Sequence, residues 1–215
     1  MSRIPDLYVE GRDDQWSILS LLEVNGIKLI KDEGPVNIKP THSVSEMLDN
    51  MPAFVKAAQA ARSPVGFVLD IDLDIESRWQ SICAKFKRLN FDMPDNVLGA
   101  DGVILDLPAG KVGIWLMPDN EAHDGKLEDF LRTLIKDEDA VWPLAHAFVN
   151  NVGSSLPPDL RYRDVDVEKA ELSAWLSVQN PPGEPYGTAK KTRILQPTSP
   201  IAAKFVNWFK NVYSL

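Results

Sequence analysis

Three observations predict an α/β fold, a mainly parallel sheet flanked by helices with an added hairpin and C-terminal helices. Short apolar runs alternate with amphipathic segments from residue 4 to residue 89, an order that calls for parallel strands joined by right-handed crossovers. Two of those runs, "LYVEGRDD" and "GFVLDIDLD", end abruptly in acids, as strands do when their carboxyl ends open on a crevice. Finally, "GVILDLPAGKVGIWLM" reads as two strands about a Pro-Ala-Gly turn, which is the hairpin.

The elements follow in order. "IPDLYVE" is a short buried strand, and "DDQWSILSLLEVNG" is a helix with Trp16, Leu19 or Ser20, and Glu23 at helical spacing and Gly26 as its stop. "IKLIK" is expected to be the second strand. In the long helical segment after it, Ser43 and Glu46 form a capping box, Pro52 is placed to bend the helix, and Pro64 ends it. "VGFVLDI" is the most strand-like run in the chain. "IESRWQSICAKFKRL" places Trp79, Ile82 or Cys83, and Phe86 on one apolar face. After the hairpin come the helices "GKLEDFLRTLIKD", "AVWPLAHAFVNNV" and "VEKAELSAWLSVQN", then the loop "PPGEPYGTAKK". A last helix has Ser199 as N-cap and Pro200 at its first position. No internal repeat is present, and the chain reads as a single domain over 1–215, with a core over about 1–120 and a helical extension over about 121–215.

Composition narrows the function classes. The chain has 215 residues, 44% hydrophobic and 8% aromatic, enough to bury a core. Its longest apolar runs fall short of the roughly 18 residues a membrane span requires, and the N-terminus lacks the apolar stretch of a signal peptide, so a cytoplasmic protein is expected. Cys83 is the single cysteine and reads as a buried helical residue, while His42, His123 and His146 are too scattered for a local zinc motif. A net charge of -8 argues against tight unaided binding to nucleic acid, because phosphate contacts supply most of that affinity. Cations held on carboxylates, or a basic partner, would reverse the local field. The dense basic stretch "GTAKKTR", with Lys190, Lys191 and Arg193, reads as a solvated loop.

In a flavodoxin-like strand order the first and third strands are neighbours, so Glu10, Asp70 and Asp72 project into one crevice, with Asp14 one helical turn on. Converging carboxylates repel unless they are protonated or share a cation, and hard oxygen donors without His or Cys select Mg²⁺ or Mn²⁺. Asp74 is a further ligand candidate, although Asp13 and Asp74 also fit the role of helix caps. Asp119, Asp124 and Glu128 are candidates for a second metal position, with Asp124 and Glu128 on one helical face if the helix begins at Asp124. Asp124 equally reads as a cap. Lys126 could steady a phosphate or simply lie on the surface. Trp79, Trp115, Trp142, Trp175 and Trp208 sit among apolar neighbours and read as core.

"VEGRDD" followed at this distance by "VLDIDLD" resembles the Toprim domain, a Rossmann-like fold shared by topoisomerases, primases, recombination mediators and OLD-type nucleases. The Glu-Gly-x-x-Asp form, here Glu10, Gly11 and Asp14, is similar to the OLD-type version. "GIWLMPDNEAHDGKLEDF" and the late loop with Pro182 and Gly183 resemble a small stand-alone Toprim-like family of bacteria and archaea of unknown function. The resemblance implies metal-dependent phosphoryl transfer on nucleic acid. Glu10 would be a general acid or base or a ligand, with Asp70 and Asp72 holding Mg²⁺. No tyrosine stands in a context that marks a topoisomerase nucleophile. No "GxxxxGK[ST]" appears either, so any ATPase partner is a separate chain. A non-catalytic module that binds metal, nucleotide or a partner protein is the alternative.

Overall fold

The computed structural model describes residues 3–29, 34–96, 99–189 and 195–215. Among the described residues five strands form one sheet in the order β2-β1-β3-β5-β4, with β1 Asp6–Val9, β2 Asn37–Pro40, β3 Val65–Asp70, β4 Val103–Leu107 and β5 Gly110–Met117. β1, β2, β3 and β5 run parallel, and only the edge strand β4 is antiparallel, joined to β5 through the expected hairpin with Leu107 opposite Gly110. The chain leaves β1 in one direction to reach β2 and returns across it to β3, so the strand order reverses between β1 and β3.

Period-two alternation sends each strand's side chains to two different layers. Leu7 and Val9 of β1, Val68 of β3, and Trp115 and Met117 of β5 join the core beneath α1 (Arg12–Val24), α4 (Leu127–Arg132) and α8 (Pro200–Tyr213). Tyr8, Phe67, Leu69, Ile114 and Leu116 face the opposite core under α2 (Val44–Ala60) and α3 (Ile75–Lys87). Burial on both faces is what parallel pairing requires. The helical extension adds α5 (Trp142–Ser155), α6 (Val167–Ser177) and the short α7 (Tyr186–Ala189). Among the described residues no helix is long and apolar enough to cross a membrane.

Several expectations hold at the level of single residues. Ser43 Oγ accepts the Glu46 N–H at 3.1 Å, the N-cap half of the expected capping box, and Ser199 Oγ accepts the Ala202 N–H at 3.3 Å with Pro200 opening α8. Trp79, Ile82 and Phe86 are the buried residues of α3, and Trp79, Trp115, Trp175 and Trp208 are buried.

Others need correction. The second strand is Asn37–Pro40, not "IKLIK": the Ile27 N–H donates to the Leu22 carbonyl at 2.9 Å and closes the end of α1, so that apolar residue is used up by the helix terminus. The remainder of that segment, from Ile30, lies outside the described residues, as do Lys190, Lys191 and Arg193. α2 runs through Pro52 and stops at Ala60, four residues before Pro64, and Trp16 is 55% exposed on α1. α4 is only six residues long and begins at Leu127.

Candidate functional site

The carboxyl ends of β1 and β3 lie side by side at the point of reversal. Glu10 follows the last residue of β1, and its Oε1 accepts the backbone N–H of Asp70 at 2.9 Å. That one bond bridges the two strand ends. Asp70 closes β3, and its Oδ1 accepts the Leu127 N–H at 3.0 Å, which ties the start of α4 to the same edge. Asp14, in the first turn of α1, is buried and turns Oδ2 to the Gly11 N–H at 3.0 Å.

Asp72 takes a left-handed backbone, φ 63°, and pairs with Gly125 in both directions: its N–H donates to the Gly125 carbonyl at 2.9 Å, and the Gly125 N–H donates back at 3.1 Å. Gly125 has φ 136°, and a Cβ there would lie 2.6 Å from Pro118 Cδ. A side chain would therefore push the 123–127 segment off the edge.

Electrostatics tie these groups together. Burial pushes Glu10 up from 4.5 to about 7; the Asp70 N–H and Arg78 oppose the rise, and Asp14 and Asp72 reinforce it. Asp14 is pushed up to about 6, again chiefly by burial, with Glu128 and Asp13 adding repulsion. Asp70 is raised well above the ordinary carboxylate value by burial and then by Glu10, Asp14, Glu128 and Asp72. Glu128 is raised by burial despite Lys169 and Lys126 nearby. Glu10 just past β1, Asp14 on α1, Asp70 at the end of β3 and Glu128 on α4 thus sense one another in a desolvated edge, with the more exposed Asp72 in the loop after β3 beside them.

The remaining sequence candidates lie elsewhere or do other work. Asp74 is the N-cap of α3, its Oδ2 accepting the Ser77 N–H at 2.8 Å, and its pKa is lowered first by the Ser77 hydroxyl and then by that backbone bond. Asp124 is exposed and precedes α4 by three residues, so it neither caps that helix nor shares a face with Glu128; Lys126 occupies the N-cap position. Asp119 Oδ1 accepts the Glu121 and Ala122 N–H groups at 3.0 and 2.8 Å and closes a turn. Lys126 donates to the Val165 carbonyl at 2.9 Å, which tethers it to the helical extension. The cap of α1 falls at Gly11 rather than Asp13.

Two residues at the edge escaped the sequence reading. Arg78, one turn into α3, pairs with Asp72, and its charge reaches Glu10; its side chain is only 12% exposed and its Nε is buried without a hydrogen-bond partner. Helical periodicity marked Trp79, Ile82 and Phe86 as the inward face and offered no signal for the residue beside them. Tyr186 comes from the late Pro/Gly loop, and its hydroxyl is raised by burial, with Glu128 and Asp13 as the charges that repel its ionised form. α7 carries it against α1, where a Cβ on Gly187 would stand 2.5 Å from Trp16 Cβ. The "PPGEPYG" loop was visible in the sequence, but its docking partner was not.

Chemically, the edge offers hard oxygen donors that are unsatisfied as neighbours, which suits a divalent cation. Among the described residues, however, no three His, Cys, Asp or Glu side chains are already gathered around a metal-sized point. Glu10, Asp14 and Asp70 each commit one oxygen to a backbone N–H, and Asp72 is engaged by Arg78.

A family model described as "Protein of unknown function (DUF3226)" matches residues 5–214. No curated protein and no solved structure matches the chain.

Proposed function

The chain belongs to the DUF3226 family, described as of unknown function, and we propose from the site itself that it is a Mg²⁺- or Mn²⁺-dependent phosphoryl-transfer enzyme acting on nucleic acid. The reaction we assign is phosphodiester hydrolysis, in concert with an ATPase on a separate chain. The observation that carries this reading is the bridge from Glu10 Oε1 to the Asp70 N–H at the strand reversal, with three further carboxylates repelling across it. An edge of this kind favours occupation by a cation, and it is continuous with the Toprim-like pattern of Glu10, Asp70 and Asp72.

The residues that would hold the ion are Glu10, Asp14, Asp70 and Asp72, with Glu128 beside them. Bound there, a divalent ion supplies charge neutralisation for phosphate and a more acidic water. Glu10, with a pKa of about 7, can hold or release a proton at neutral pH, as a general acid or base must. Arg78 offers a guanidinium that pairs with phosphate oxygens once Asp72 turns away. Tyr186 presents a neutral hydroxyl donor at the Glu128 side.

The test is cleavage of single- and double-stranded DNA and RNA with Mg²⁺ or Mn²⁺, wild type against Asp70→Ala. Metal-dependent cleavage lost in the variant supports the proposal; equal cleavage by both proteins overturns it.

The competing reading is a non-catalytic module that binds metal, nucleotide or a partner. The engagement of Asp72 by Arg78 favours it, since a paired carboxylate is already neutralised without an ion. Metal binding without cleavage of any of the four substrates would select it.

A further inference from the structure

The helical extension presents one face that the rest of the fold does not use. α5 is held on its inner side: Ala145 and Val149 are buried, His146 Nδ1 lies 2.6 Å from Oε1 of the buried Glu171 on α6, and the Tyr162 hydroxyl donates to the Val149 carbonyl at 3.1 Å. Its outer side is apolar. Leu144, Phe148 and Val152 stand four residues apart in one row along the helix; Leu144 is 70% and Phe148 62% exposed, and Leu156 at the C-cap is 42% exposed. Single exposed apolar side chains are ordinary, but a row of them on one fixed helix marks an interaction surface.

Charge decides what that surface can receive. From Ala140 to Pro158 the sequence contains no Asp, Glu, Lys or Arg, in a chain that is 25% charged with a net charge of -8. Every other described helix of eight residues or more carries charged side chains. Without a cation, α5 has no grip on phosphate, which excludes nucleic acid and an anionic membrane surface as its occupant. Without charge of either sign it offers no complement to a partner that reads charge. A second copy of the chain is different. Two molecules of net charge -8 repel wherever their acids meet, and they approach most easily through a face that carries none.

The face is also self-complementary. Across a two-fold axis one patch meets itself, so that any contact from the first copy to the second is repeated from the second to the first. With α5 antiparallel to its copy, Leu144 of each molecule meets Phe148 of the other. Ala147, exposed on the same side, is small enough to let the two helices approach to the usual ~8–10 Å. Asn151 and Ser155, whose side chains already bond to each other at 2.8 Å, follow on the outer side as a polar rim.

We propose that the outer face of α5 is the interface of a homodimer, in which α5 packs on α5 of a second copy. One pair of 14-residue helices covers less than the ~800 Å² per partner of a standard interface, so the dimer is weak, with a dissociation constant on the order of 10–100 µM. It needs neither metal nor nucleic acid and is independent of the nuclease reading.

Sedimentation velocity of the full chain in chelator, from about 1 to about 500 µM, tests this. The 24.0 kDa chain should pass reversibly into a species of twice that mass. Because the contact is uncharged within an acidic molecule, raising NaCl from about 50 to about 500 mM should tighten it.

Leu144→Glu with Phe148→Glu sets like charges against each other across the axis and should raise the dissociation constant at least ~10-fold. Both side chains are exposed, so the melting temperature of the dilute protein should not change. Leu144→Ser with Phe148→Ser weakens the contact without adding charge, and it decides the matter if the acidic pair fails to fold. Val24→Glu with Leu215→Glu, at exposed apolar positions on the end of α1 and the end of the chain, should dimerise as the wild type does. A chain that stays monomeric throughout that range overturns the homodimer, whatever other protein the face captures. A dimer that both α5 variants leave intact, or one that loosens as salt rises, overturns it as well, because the contact then lies on another surface.

Discussion

Glu10→Gln should stabilise the protein in mild base and leave it unchanged in acid. Glu10 has its pKa raised from 4.5 to about 7, first by burial and then by repulsion from Asp14 and Asp72, against the Asp70 N–H and Arg78. Between those two values the folded chain keeps a proton that the unfolded chain has released, so stability falls as pH rises through the window. Below it both states are protonated and the group contributes nothing; above it both are ionised and the folded state bears the whole penalty. That penalty is about 3 kcal/mol for this displacement, and sharing among the neighbouring acids brings the expected gain from the variant to about 2–3 kcal/mol.

Glutamine keeps an Oε1 for the Asp70 N–H, so the bridge between β1 and β3 survives and only the charge is removed. For a chain of this size the gain corresponds to on the order of 5–10 °C in melting temperature. Thermal and urea melts of wild type and Glu10→Gln, in chelator at about pH 4 and about pH 8, measure it directly. A loss of stability of the same size at both pH values would refute the reasoning, because it would make Glu10 a structural group whose charge is not under strain.

Asp70→Asn should likewise raise the stability of the metal-free protein near neutral pH and abolish most of the stabilisation by Mg²⁺, which for wild type at ~100 times the dissociation constant is ~2.7 kcal/mol. An equal Mg²⁺ response in melts of both proteins would rule Asp70 out as a ligand. Asp74→Ala, by contrast, removes the cap of α3 and should lower the urea midpoint by the same amount with and without metal. Gly113→Ala sets a Cβ 2.3 Å from Val212 Cγ2 and 2.9 Å from Trp208 Cζ2 on α8, and overpacking should cost about 1–3 kcal/mol at unchanged urea m-value.

Local pattern determined the order of the elements and the site's central pair. The run Leu7–Val9 and the run Val65–Leu69 are apolar enough to be buried strands by themselves, and an acid placed directly after each is fixed at the strand's end by chain connectivity alone. Neighbouring pairing of β1 and β3 follows once a flavodoxin-like strand order is taken, and the sheet has that pairing, which is why Glu10 and Asp70 were legible together.

What each carboxylate does with its oxygens was not local. Asp74 meets the Ser77 N–H because α3 starts there, and Asp72 meets Arg78 one turn later. Asp70 receives the Leu127 N–H, from a helix that begins three residues later than the acids before it suggested. A hydrogen bond or ion pair is decided within about 3 Å, a tolerance that periodicity, with its uncertainty of a residue or two at every helix end, cannot reach. The same limit hid Arg78 and Tyr186. Their importance lies in what packs against them from segments far along the chain, and only the assembled sheet and its helices bring those segments together.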